Sequence, residues 1–262
     1  MNAEPRRVDI AGVPVEAVDM STAVARLQSM VGVGKPSQVA TVNLDFLVRA
    51  QRDPEVMGIL RRTDLNFADG VPVVWLSRLL GVRLPGRVAG ADLVPALVAA
   101  LAPSGGRLFL LGGEGGAAAA AGTRLEELYP GIVVAGTYEP PRASVAEMNN
   151  AEILQRVADA QADVILVALG HPKQERWIDA HRDRLAVSVA IGVGCVFDLI
   201  AGRTRRAPRW AQAMGLEWLY RLAREPRRLV GRYATDAAWL VLITGRVLRD
   251  RMATGGRRAE PA

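Results

Sequence analysis

Several things are scarce in this 262-residue chain, and each scarcity excludes something. There is one cysteine, Cys195, so no internal disulfide framework can form, and a reducing compartment fits. His171 and His181 are the only histidines, and the sequence holds no H-E-x-x-H, no D-x-D and no Cys/His cluster. A dedicated metal site is therefore not expected; a bound cofactor is not expected either, the dinucleotide alternative below aside. No run approaches the ~20 apolar residues of a membrane span. The longest, AAWLVLITG from Ala237 to Gly245, is bounded by Asp236 and Arg246. The opening MNAEPRRVDIAG lacks an apolar signal core, so export by that route is not expected. Lysine is almost missing: Lys35 and Lys173 stand against 31 arginines.

Half of the residues are hydrophobic, enough for the core of one large α/β domain with or without an appendage. The net charge of +6 is unevenly spread: residues 203–262 carry +9, with 14 arginines against 5 acids, and residues 1–202 carry −3. A basic end on a slightly acidic body points to an anionic partner there: a pyrophosphate, an anionic lipid surface or nucleic acid. The acidic balance of residues 1–202 speaks against nucleic acid. A solvated arginine-rich face is the plain alternative.

Apolar runs alternate with amphipathic helical patterns along the chain. SQVATVN, LNFA, RLFLLGG, GIVVAGTY, ADVILVALG and SVAIGVG read as strands. This predicts an α/β, Rossmann-like, mostly parallel doubly wound sheet over residues 1–202. Strands then stop. Residues 203–252 read as a basic helical C-terminal appendage broken at Glu225-Pro226, and residues 253–262 as a disordered tail. Ligands of such sheets sit at the carboxyl ends of strands. Thr41, Asn43, Asp69, Gly112, Tyr138, Gly170 and Gly194 fall at or just past those ends.

In ALGHPKQERW, Ala168 to Trp177, a strand stops at Gly170 and Pro172 suits the start of a helix. Lys173, Gln174 and Glu175 crowd its first turn, where unpaired N–H groups and the positive dipole end attract anions. An ordinary capped helix start explains the same residues. In GGEGGAA, Gly113, Gly115 and Ala117 match G-x-G-x-x-A, and Glu139 follows the next strand where a ribose-binding acid would sit. That makes an NAD-dependent Rossmann oxidoreductase the alternative reading, although several strand–helix units precede the pattern. Asp69, in FADGVP, can be a desolvated general base or the cap of the helix that follows; Asp198, in VFDLIAG, invites both readings too. Cys195 reads as a small buried residue, and His181 as a helix-surface residue. Arg221, Arg224 and Arg228 share one helical face if Pro226 does not interrupt it. Such arginines can clamp a departing pyrophosphate, cover a solvated face, or meet anionic headgroups beside Trp239, Leu240, Leu242 and Ile243.

Several segments together resemble one family, the WecG/TagA/CpsF glycosyltransferases (glycosyltransferase family 26). They are TVNLDFL (41–47), FADGVPVVW (67–75), RVAGADL (87–93), FLLGG (109–113), ALGHPKQERW (168–177), GVGCVFD (192–198), AGRTRRAPRW (201–210) and GLEWLYRLAREPRRL (215–229). The resemblance implies an inverting, metal-independent hexosyltransferase with a Rossmann-like core and an arginine-bearing C-terminal appendage that completes the site. It implies a UDP-sugar donor and a polyprenyl-diphosphate-linked sugar acceptor, with N-acetylmannosamine as the default sugar, in wall teichoic acid or surface polysaccharide synthesis. The expected location is peripheral, on the cytoplasmic face of the plasma membrane, with a homo-oligomer left open. By the same resemblance Asp69 is the base, and Thr41, Asn43 and Gln174 position the sugars. Arg87 lies near acceptor or phosphates, and Tyr138 and Asp198 flank the uracil. Gly112 and Gly170 belong to the substrate site, and Arg221 and Arg228 neutralise the diphosphate. Gly231 stands where many relatives place a basic residue, so that Arg232 takes that role or the role is missing.

Overall fold

The structure is a computed structural model that describes residues 6–253. Eight strands occur among them: β1 (Arg7–Ile10), β2 (Val13–Glu16), β3 (Ser37–Val42), β4 (Leu65–Ala68), β5 (Arg107–Gly112), β6 (Val133–Tyr138), β7 (Val164–Ala168) and β8 (Val189–Gly192). Between and after them lie α1 (Met20–Met30), α2 (Leu44–Arg52), α3 (Pro54–Arg62), α4 (Val71–Leu79), α5 (Gly90–Leu101), α6 (Ala117–Leu128), α7 (Asn150–Ala160), α8 (Lys173–His181), α9 (Val196–Ile200), α10 (Arg209–Ala213), α11 (Glu217–Arg224) and α12 (Pro226–Ala253). Most of the expected tail thus falls outside the described residues.

Strands β3 to β8 form one six-stranded sheet in the order β4-β3-β8-β7-β5-β6, parallel at every pairing. Its strands are apolar on both faces because helices cover both. Along β5, Leu108 and Leu110 join a core with α1, α5, α6 and α9, whereas Phe109 and Leu111 join α7 and α8 on the other face. β7 alternates in the same way, with Val164 and Leu166 on one side and Ile165 and Val167 on the other. Each buried side chain of this kind stabilises by about 1.5–3 kcal/mol. The expected doubly wound Rossmann-like sheet is what the chain forms.

The first two strands pair antiparallel outside this sheet. Their two-residue turn, Ala11-Gly12, has φ of 55° and 85°, the twist that hairpins favour. The hairpin lies over α2, α3 and α4 through Val8, Ile10, Val13 and Val15. Into that same core α12 inserts Ile243, which is 1% exposed. Arg246 Nη1 also donates to Gln51 Oε1 at 3.3 Å, so the appendage is docked along α2 and α4 rather than splayed from the core.

Candidate active site

The carboxyl ends of the parallel strands open into one cleft of about 980 Å³. Loops after β3, β4, β5, β7 and β8 form its floor and α11 and α12 its far wall. Thr41, Asn43, Asp69, Arg87, Gly170, Gln174, Asp198, Arg221 and Arg232 all line it, so most of the polar residues singled out in the sequence converge.

Asp69 follows β4 directly, and its N–H donates to Val42 O at 2.8 Å, continuing the ladder. Its carboxylate does not cap the helix that follows: α4 starts at Val71, after Gly70 at φ 120°, with no side-chain cap. Asp69 Oδ2 instead accepts from the Gly90 N–H at 3.4 Å, at the start of α5. Burial pushes the Asp69 carboxyl up to about 6, against the lowering pull of Arg87, the Gly90 N–H and Arg221, while Glu217 adds to the rise. A carboxylate near 6 is ionised at neutral pH and still basic enough to take a proton.

Asn43 follows β3 and caps α2, its Oδ1 accepting from the Phe46 N–H at 3.3 Å. Thr41, 6% exposed, stands beside Gly90, where an added Cβ would lie 3.3 Å from the Thr41 hydroxyl. Gln174, 2% exposed, is oriented at both ends of its amide. Its Oε1 accepts from the Gly194 N–H at 3.1 Å, and its Nε2 donates to Glu175 Oε1 at 2.8 Å. One amide N–H is left for a ligand. Glu175 also bonds His171 Nδ1 at 2.8 Å, and the imidazole stacks on Phe46 with centroids 3.6 Å apart. His171 is therefore a bracket between α2 and α8. Gly192 makes room for this arrangement, since a Cβ there would lie 2.6 Å from Gln174 Nε2. Lys173 opens α8 and lines the cleft, and α8 carries no side-chain cap.

Opposite Asp69 lies an ion network that the sequence did not disclose. Glu217, at the start of α11, is 3.3 Å from Arg87 Nη1, 3.3 Å from Arg221 Nη2 and 3.6 Å from Arg206 Nε. Asp92 on α5 pairs with Arg206 and sits 3.6 Å from Arg87. The Asp92 carboxyl is held below its usual range by the Arg206 hydrogen bond. Arg206 and Glu217 lie within the family-like segments AGRTRRAPRW and GLEWLYRLAREPRRL, and that was the only signal available. Arg232 lines the cleft with its Nε buried and without a hydrogen-bond partner among the described residues. Beside it, burial and then the neighbouring Asp45 push the Asp236 carboxyl up to about 6.

Some expectations come out differently. Tyr138 ends edge strand β6 and is covered by Arg156, whose guanidinium lies 4.7 Å above the ring, and it does not line the cleft. Gly112 is a close-approach glycine: at φ 98°, a Cβ would lie 2.6 Å from Ala168 O on β7. Cys195 is exposed in the cleft, not buried, because it turns out of the loop just ahead of α9. His181 is buried, not on the surface. It follows Trp177 by one helical turn on the apolar face of α8, with Nδ1 2.7 Å from Trp177 O. α11 ends at Arg224 and α12 starts at Pro226, so Arg228 does not continue the α11 face; its side chain lies outside the described residues.

The dinucleotide pattern is accounted for structurally. Glu139 Oε2 accepts from the Gly116 N–H at 2.8 Å and Oε1 from the Ala118 N–H at 3.0 Å. The acid expected on a ribose instead fills the α6 N-terminus, the seat of a dinucleotide pyrophosphate.

A parallel α/β sheet with a cleft of paired arginines and carboxylates at its carboxyl edge is a common enzyme architecture, and the comparisons give the class as glycosyltransferase. Residues 8–255 match the glycosyl transferase WecG/TagA/CpsF family, and the chain belongs to it. Among curated proteins it is similar to an N-acetylglucosaminyldiphosphoundecaprenol N-acetyl-β-D-mannosaminyltransferase of Bacillus subtilis, 33% identical over 193 residues, covering 72% of each chain. A protein of the same name from Bacillus spizizenii is 32% identical over 194 residues, covering 74% of each.

Proposed function

We propose that this glycosyltransferase moves N-acetylmannosamine or a related hexose from a UDP-sugar to a polyprenyl-diphosphate-linked sugar, with inversion and without a metal. The observation that carries the reading is Asp69, a desolvated carboxylate at a strand end, facing arginines contributed by the appendage. The names of the two Bacillus relatives support the sugar and the acceptor class.

Asp69 takes the proton of the acceptor hydroxyl as its oxygen bonds to the anomeric carbon, and the bond from that carbon to the UDP oxygen breaks. Attack from the face opposite the leaving group inverts the centre. Gln174 donates its free N–H to a sugar oxygen, while Thr41 and Asn43 fix the sugar from β3. Asp198 is the remaining candidate for the uracil, since Tyr138 lies under Arg156. Arg87, Arg206, Arg221 and Arg232 take up the charge of the departing diphosphate, the task a divalent cation performs elsewhere. Among the described residues no three His, Cys, Asp or Glu side chains gather as metal ligands. No described helix is long and apolar enough to cross a membrane. A peripheral position on the cytoplasmic face, with core 1–202 and appendage 203–252 acting together, is part of the proposal.

The test is a transfer assay on a panel of UDP- and GDP-sugars with a short-chain lipid-diphosphate acceptor, run with and without EDTA. Transfer from a UDP-sugar that EDTA leaves intact, giving the opposite anomer by NMR, is expected. Calorimetry showing NAD binding without UDP binding would overturn it.

A further inference from the structure

The cleft has three chemically distinct stretches. Its floor is polar, with Asp69, Asn43 and Gln174. A basic band of Arg87, Arg206, Arg221 and Arg232 follows. The third stretch is apolar and lies between two helices. Val71 and Trp75 face it from α4, one turn apart; Tyr233, Ala237 and Leu240 face it from α12, at the i, i+4, i+7 spacing of a single stripe, with the buried Asp236 as the carboxylate that α12 adds to the lining. Trp218 of α11 closes one end, edge-on to Tyr233 with centroids 6.1 Å apart.

Leu240 also packs against the core beneath α4, but the two tryptophans fill no core. Trp75 is 56% exposed and Trp218 48% exposed, although both line a cavity. The helices around them are fixed nonetheless. α12 is anchored by Ile243, and Val71 packs so closely on Gly215 that a Cβ there would lie 2.7 Å from Val71 Cγ2. The result is a firm trough with open apolar walls, continuous with the basic band. An open apolar wall beside a charged site marks a ligand with an apolar part.

We propose that the trough between α4 and α12 holds the first isoprene units of the lipid-linked acceptor. The inference rests on the acceptor class given under Proposed function. A lipid-diphosphate sugar runs sugar, diphosphate, hydrocarbon along its covalent chain, and the cleft offers polar floor, arginines and apolar trough. The sugar hydroxyl meets Asp69, the acceptor's own diphosphate lies at the trough end of the basic band by Arg232, which it shares with the departing diphosphate, and the hydrocarbon lies against Trp75, Trp218 and Leu240. The rim on the β5 and β6 side is polar, with Glu114 and Arg142 paired at 2.5 Å, and suits the nucleotide rather than a hydrocarbon.

The test uses the full chain and acceptors that share sugar and diphosphate but carry no tail, three isoprene units or a longer polyprenyl chain, at constant detergent. For the unsubstituted chain, kcat/KM is expected to rise at least about tenfold from the tail-less to the three-unit acceptor. In the double substitution Trp75→Ser/Leu240→Ser, the loss on the tailed acceptors exceeds the loss on the tail-less one by at least about tenfold. Equal losses on all acceptors, or no dependence on tail in the unsubstituted chain, would overturn the proposal. So would loss of vesicle binding with the tail dependence kept, which would make the tryptophans a membrane-docking surface. Tryptophan emission gives a second readout: farnesyl diphosphate shifts it to the blue and inorganic pyrophosphate does not, and Trp75→Ser abolishes most of the shift. If no acceptor is glycosylated but this shift occurs, the acceptor reading falls and the trough stands; if neither occurs, both fall.

Discussion

Glu217 binds Arg87 through one carboxylate oxygen and Arg221 through the other, each at 3.3 Å, so a single side chain ties Arg87 to α11, and all three charges act on Asp69. Glu217→Gln keeps the shape and removes the charge. Burial remains the largest cause of the raised Asp69 carboxyl, but the contribution of Glu217 disappears, so the acid limb of kcat/KM moves to lower pH. The rate at pH 7.5 falls by about tenfold, ~1.4 kcal/mol, as the arginines lose their common anchor. A fall in rate with an unmoved acid limb would reduce Glu217 to a packing role.

Asp69→Asn removes the base. Turnover drops by about 10²–10⁴, while UDP-sugar binding measured by calorimetry stays within a few-fold. In the unsubstituted chain, kcat/KM declines about tenfold per pH unit once pH falls below the Asp69 value of about 6.

The same group makes a stability prediction with a definite sign. Its folded-state pKa of about 6 exceeds the ordinary 3.8, so the fold binds the proton more tightly than the unfolded chain does. Stability is then lost as pH rises through that window, and Asp69→Asn relieves it. The variant melts a few degrees higher at pH 7.5, about 1–2 kcal/mol, and the difference closes as pH approaches 3.8. A lower Tm for Asp69→Asn at pH 7.5 would show that burial does not burden this carboxylate.

Gly192→Ala tests the seat of Gln174 without touching the cleft. The added methyl group would stand 2.6 Å from Gln174 Nε2 and 2.7 Å from Glu175 Oε1. One of them must move, which costs about 1–3 kcal/mol of stability and at least about tenfold in kcat. Full activity in this variant would separate Gln174 from catalysis.

Glu139→Gln separates the α6 cap from the chemistry. Losing the charged cap lowers Tm by a few degrees, about 1 kcal/mol, with kcat/KM within about twofold. A large activity loss with an unchanged Tm would return Glu139 to the substrate site.

The sheet was legible because its strands are short apolar runs with turn residues after them, and VILVA and RLFLLG can satisfy helices on both faces at once. Asp69 stands out as a carboxylate directly after such a strand, but a helix cap explains it equally well in the sequence, and only the fold shows α4 without a side-chain cap. The ion network was not legible. Arg87 and Glu217 are 130 residues apart, and Arg206 and Asp92 are 114 apart, so only the closed fold brings them together. Tyr138 and Glu139 misled for a related reason. They follow a strand as a binding residue would, but β6 is an edge strand whose end turns toward α6 and α7. His181 needed the direction of the α8 apolar face, which two histidines in a sequence do not supply.

The helices that begin at the cleft carry a consequence of their own. α2, α4, α5 and α8 all start at its rim, and α4 and α8 start with no side-chain cap. Each presents the positive end of its backbone dipole to the same space. Part of the attraction for an anion is therefore written into the peptide groups, where no side-chain substitution removes it and salt screens it only in part. Those helix ends share the cleft with the carboxylates of Asp45, Asp69, Glu114, Asp198, Glu217 and Asp236, so the arginines balance the carboxylates and the backbone dipoles supply the fixed direction in which an anion is held.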